Sequence, residues 1–121
     1  MTLTDHQLSE AKEAIMTLID NEWNDGAVGT DGTEPDSTDT SLGNQVLQKA
    51  REDMTREGDT WTWSLFIAST EANENVLEEV GVFDTDDNMK VREVFDSIDK
   101  SSEFEIWFDV HVTVSTEEVS V

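Results

Sequence analysis

Few residues in this chain have the types and spacing for chemistry. There are two histidines, His6 and His111, and no cysteine. His6 falls near the N-terminus and His111 within the last apolar-alternating segment, so nothing in the sequence pairs them as a metal site or a catalytic dyad. The run Asp84-Thr85-Asp86-Asp87-Asn88 places oxygen donors at alternate positions, like part of a calcium loop. However, Met89 and Phe95 stand where such a loop needs Gly and Glu, so the run reads as a hairpin turn. Val28-Gly29-Thr30-Asp31-Gly32-Thr33 has two glycines but no lysine to follow them, and the net charge would repel a phosphate. There is no GxSxG, HExxH or P-loop. Carboxylates are too abundant for any pair to signal acid–base work. The expectation is a protein that is not an enzyme, with no cofactor and no metal site.

The charge sets the next constraint. Asp and Glu number 29 against 7 Lys and Arg, a formal net charge of −22 over 121 residues. The apolar fraction, 36%, is below that of ordinary globular domains. Such a balance suggests disorder, yet four Trp and five Phe are gathered into patterned segments. The acids are dispersed rather than gathered in a stripe. That suits a surface adapted to very high salt, where the Debye length shrinks to about 3 Å at 1 M and self-repulsion is screened. A phosphate-like decoy for a basic groove is the rival reading, and nucleic acid itself is excluded as a partner. No segment approaches the length of a membrane span. Met1-Thr2-Leu3-Thr4-Asp5 lacks a basic region followed by an apolar one, which argues against a secretory signal.

The elements that must hold these residues are legible by period. Residues 4 to 23 form an amphipathic helix. Thr4 and Gln7 suit a capping box, and Leu8, Ala11, Ile15, Leu18, Ile19 and Trp23 fall along a stripe. This stripe either packs on the domain's own sheet or docks on neighbouring subunits. Asn24-Asp25-Gly26 supplies a stop. Ala27 to Thr30 suits a short strand, residues 31 to 41 an exposed loop, and Leu42 to Glu52 is open between helix and strand. Trp61, Trp63, Leu65 and Ile67 share one strand face. In Val76 to Phe83, Val76, Glu78, Val80 and Val82 should lie opposite Leu77, Glu79, Gly81 and Phe83, with Gly81 marking a bulge or a close approach. Met89 to Phe95 is a further strand, followed by a loop over 96 to 102. Phe104 to Val114 alternates most cleanly, with Trp107 on its polar face, either under the helix or as a subunit anchor. The fold class expected is α+β, an N-terminal amphipathic helix (1–26) followed by an antiparallel β sandwich-like core (27–121).

Across residues 28 to 101 the order of motifs resembles small structural and attachment proteins of tailed viruses. The pieces are Val28 to Thr33 with Pro35, Asp39-Thr40-Ser41-Leu42-Gly43, Ala72-Asn73, Glu79-Val80-Gly81-Val82-Phe83-Asp84, Met89 with Arg92 and Phe95, and Ile98-Asp99-Lys100-Ser101. The chain departs from the pattern in the wider spacing of Gly29 and Gly32, and in carrying Asp86-Asp87-Asn88 where Gly is common. The resemblance implies a non-catalytic virion component: a tail or baseplate part, or a capsid decoration. With the acidity, it implies a tailed virus of salt-loving archaea. The protein would reside in the virion, and in the host cytoplasm during assembly. Its partners would be copies of itself, as a homo-oligomer, and other virion proteins, with Leu8, Ile15, Leu18, Trp23 and Trp107 as interface candidates. Alternatives are a module binding a host-surface glycan or receptor through loop 30–41, and an acidic nucleic-acid mimic acting as an inhibitor.

Overall fold

The computed structural model describes residues 4–114, apart from the side chains of Asp5 and Leu8. Helix α1 spans Asp5–Glu22 and is capped by Thr4, whose hydroxyl accepts the Gln7 amide. Seven strands follow: β1 (Asp25–Gly29), β2 (Gln45–Ala50), β3 (Asp53–Glu57), β4 (Thr60–Ile67), β5 (Asn75–Phe83), β6 (Met89–Lys100) and β7 (Ile106–Thr113). They form two antiparallel sheets, ordered β2-β1-β5-β6 and β3-β4-β7. The architecture is the expected α+β sandwich with one leading helix.

The core lies between the sheets. Val28, Leu77, Val80 and Val82 meet Trp63, Leu65 and Ile67, all buried. Gly26 is needed here because the Trp63 and Leu65 side chains occupy the space that a Cβ would fill. A second cluster forms where α1 covers the free end of β4, with Met16, Ile19, Trp61 and Val114. Burying Trp61 and Trp63 completely removes a large apolar area from water, which offsets the low apolar fraction. Both indole N–H groups are satisfied, Trp61 by the Asp20 carboxylate at 2.6 Å and Trp63 by the Trp23 carbonyl at 3.2 Å.

Several elements differ from the sequence expectation. The helix buries Met16 and Ile19, with the capping residue Trp23 partly buried after them, and leaves Ile15 and Leu18 exposed. The helix stops at Glu22, just before Asn24-Asp25-Gly26, and β1 opens at Asp25, two residues before the expected Ala27. The open segment 42–52 resolves into β2, and β3 is a strand that alternation did not reveal, since its only inward apolar residue is Met54.

The largest departure is in β5 and β6. Leu77 pairs with Ile98 and Glu79 with Val94, so Phe95, Asp96 and Ser97 bulge opposite the single residue Glu78. The bulge shifts the face on which β5 residues point. Leu77 joins the core with Val80 and Val82, while Val76, expected there, is exposed. It also lets β6 continue to Lys100, through most of the expected loop 96–102. β7 begins at Ile106, leaving Phe104 outside the strand.

Candidate functional site

The expected loop after β1 covers the outer face of the four-stranded sheet. Leu42 packs with Ala27 and Phe83, and partly buried Met89 joins them. Gly81 leaves room for this contact, because a Cβ there would sit 3.0 Å from Leu42 Cδ2. A close approach is thus the role of Gly81, while the strand irregularities lie on either side of it. Gly32 to Thr38 face solvent, and Asp31 and Asp36 organise this outer run. Each carboxylate accepts the backbone amide and hydroxyl of the threonine two residues on.

Both roots of the loop converge on Glu79. Its carboxylate is fully buried and accepts the amides of Asp31 (3.0 Å), Gly43 (2.8 Å) and Asn44 (2.9 Å), together with Arg92 Nε at 3.0 Å. Arg92 donates onward to the carbonyls of Asp31 and Thr33 and to Asp39. Desolvation is the largest single influence on Glu79 and would raise its pKa. The three amides and Arg92 together outweigh it, so the carboxyl sits below the ordinary glutamate value. Gly29 completes the arrangement, since a Cβ there would collide with the Glu79 carboxylate and the Asn44 carbonyl. Gly43 is required for the same reason by the Asp31 side chain.

A second polar knot holds the β4–β5 crossover. Lys100, 1% exposed, donates to Asn73 Oδ1 at 2.8 Å and to the Ser101 carbonyl at 2.9 Å. Its ammonium lies 5.4 Å from the centre of the Phe104 ring. Ala72 and Glu74 flank Asn73 with φ of 55° and 67°, so the crossover turns sharply there. The Asp84–Asn88 run is a hairpin turn in which the Asp84 carboxylate accepts the amides of Asp86 and Asn88 and pairs with Lys90 at 3.4 Å. The Asn88 amide is the chief reason that the Asp84 carboxyl is held below its ordinary value.

The motif residues are therefore brought together, but their chemistry is spent internally. Gly29, Asp31, Gly43, Glu79 and Arg92 meet in one knot and Asn73, Lys100 and Ser101 in the other. The histidines have separate partners: His6 faces Glu10 on its own helix, and His111 Nδ1 faces the Thr62 hydroxyl. Sequence reasoning missed the knot because alternation gives the face of Glu79 but not the distant amides that would bury its carboxylate. The signal available was the pair of glycines at Gly29 and Gly43, which no turn requires.

The exposed features are of a different kind. Ile15 and Leu18 are 47% and 52% exposed on α1, and Ala11 and Ala14 beside them are also exposed. Leu8 continues the same spacing in sequence, but its side chain lies outside the described residues. Trp23 is turned inward against both core clusters. Trp107 is not under the helix. It stands 54% exposed on the outer face of the three-stranded sheet, stacked against Phe66 with ring centroids 4.8 Å apart.

No protein-family model matches the chain, and no curated protein sequence matches it.

Proposed function

We propose that this protein is a non-catalytic structural subunit that assembles with copies of itself in the virion of a tailed virus of salt-loving archaea, as a tail or baseplate part or a capsid decoration. The observation that carries self-assembly is the exposed stripe Ala11, Ala14, Ile15 and Leu18. Ala11, Ile15 and Leu18 repeat with spacings of four and three, Leu8 extends the series in sequence and Glu22 ends it, as in a short coiled-coil seam. The positions beside it, Gln7, Ala14 and Asn21, carry no acid. On a chain of net charge −22, the stretch of this seam from Leu8 to Leu18, which carries no carboxylate, is where a second copy can approach with least repulsion. The virion assignment rests on the motif resemblance, together with the spending of its polar residues on scaffold rather than on a reactive site.

The test is light scattering in molar salt on the wild type and on Ile15→Asp and Leu18→Asp. The wild type should be an oligomer and both variants smaller, with unchanged melting curves. A monomeric wild type, or variants of undiminished mass, would refute assembly through the helix. Mass spectrometry of purified particles checks the virion assignment separately.

A second reading, binding to a host-surface glycan or receptor through loop 30–41, is favoured by one observation. The loop is anchored at both roots on Glu79 and Arg92, so its exposed run is ordered before any ligand arrives. Binding of purified protein to host cells, abolished by shortening that run, would establish it.

A further inference from the structure

β6 and β7 end their respective sheets on the same side of the sandwich, each with one strand neighbour among the described residues. Between them the core is open to solvent. A groove of about 640 Å³ runs there, floored by Phe95, Ile98, Ile106, Phe108 and Val110, all only partly buried. Phe95 and Phe108 meet across it with ring centroids 5.0 Å apart. Its rim carries Glu93 and Asp96, with His111 at one end and, among the described residues, no Lys or Arg; Asp109 borders it but turns its carboxylate to the Ser64 hydroxyl on the outer face of the sheet.

We propose that this groove accepts an extended segment of a different protein, alternating apolar and basic residues, which adds as a strand to the free edge of β7. The two edges are not equivalent. β6 is bulged at 95–97, which interrupts its pairing edge, whereas β7 pairs without a register shift over its whole length. An added strand would point alternate side chains at Phe95, Ile98 and Phe108, continuing the inward alternation of Ile106, Phe108 and Val110.

The charge of the occupant follows from where this chain's own cations are. Each of its seven is engaged internally: Lys12 with Asp59, Lys49 with Glu71, Arg51 with the Trp23 carbonyl, Arg56 with Asp20, Lys90 with Asp84, Arg92 with Glu79 and Lys100 with Asn73. A second copy therefore has no uncommitted cation for an acidic rim. A strand from a basic partner does, and it would also satisfy the open backbone groups of β7. This interaction is distinct from assembly through α1 and can be present or absent independently of it.

The test uses the full chain and a synthetic peptide of alternating Lys and Val, seven residues long, with binding followed by calorimetry at two salt concentrations. Two control peptides replace every Lys by Glu, or the central Val by Pro. The alternating peptide should bind, the Glu peptide should not, and the Pro peptide should lose at least tenfold because it cannot complete the ladder. The chain variant Glu93→Lys/Asp96→Lys, altered only at exposed positions, should weaken binding by a similar factor while its melting curve is kept. Equal binding of the Pro peptide would reduce the effect to charge attraction and overturn the proposal. So would absence of binding, or a change in oligomer mass on altering the rim, which would make the occupant a second copy. Oligomer mass measured on the helix variants reports on assembly alone, so the two readings fail separately.

Discussion

Glu79 and Arg92 sit diagonally across β5 and β6, Oε1 to Nε 3.0 Å, while the direct register partner of Arg92 is Gly81. Both side chains are almost wholly withdrawn from water, at 0% and 5% exposure. They lie on the outer face of the sheet, beneath the loop whose amides and carbonyls they hold. The pair therefore fastens a polar loop over a sheet face that would otherwise be wet.

Replacing Glu79 by Gln keeps the shape and removes the charge. Arg92 then keeps only the Asp39 carboxylate, 3.3 Å from its guanidinium, and losing the closer, fully buried partner costs up to about 3–5 kcal/mol. Chemical denaturation should show a loss in that range, and limited proteolysis should cut between residues 32 and 41 before the rest of the chain.

The same carboxyl sets an acid limit. Its folded pKa is below the unfolded value of about 4.3, so its contribution is complete above that pH. It is lost as pH falls through the lower, folded value. Asp84 and Glu71, also held low, by the Asn88 amide and by Lys49 respectively, add to the same window. Melting temperature should be nearly flat from pH 7 to about 5 and fall steeply below about 4. Glu79→Gln should show a shallower fall, and a parallel one would remove Glu79 as a cause.

Glycine substitutions separate contact from conformation. Gly29→Ala collides with the Glu79 carboxylate and the Asn44 backbone, and should destabilise by several kcal/mol, in the range of disrupted buried networks. Gly58 has φ +59° and nothing near its Cβ position, so Gly58→Ala should cost only about 1 kcal/mol of left-handed strain. Denaturant midpoints compare the two directly.

Two tryptophans should behave oppositely. Trp61→Ala opens a cavity at the helix–sheet contact, removes the indole donor to Asp20, and should cost about 3–5 kcal/mol. Trp107→Ala removes an exposed ring and a stacking contact, worth about 0.5–1.5 kcal/mol. If Trp107 also anchors a subunit, light scattering will show reduced mass with the fold intact.

Dialysis from molar to millimolar salt should lower the melting temperature by about 5 °C or more, as the Debye length grows from about 3 Å to tens of Å. An unchanged melt would show that the charge is not an adaptation to brine.

The period-2 faces of β4 and β7 and the cap at Thr4 were legible because each is decided locally, by alternation or by one side chain. β5 was misread beyond the bulge, since three residues of β6 opposing one of β5 leave no mark on either strand alone. The helix was read one stripe off because Met16 was not counted among its apolar residues, and it is Met16 that meets Trp61. Alternation sets Glu79 on one face with Leu77, Gly81 and Phe83 but does not mark its carboxylate as buried. Its burial depends on amides from Asp31, Gly43 and Asn44, at least 35 positions away in the chain, and no local pattern encodes that.

The described contacts of α1 with the strands begin at Lys12, which reaches Asp59, and end at Trp23. Roughly the first two turns, about 10 Å of helix, thus extend past the last of these anchors. A helical end of that length is marginal on its own in water. Its amide hydrogens should exchange rapidly in the isolated subunit and slow when a neighbouring chain lies against it. If the proposed assembly through α1 forms, exchange at residues 5–11 will report it without altering a single residue.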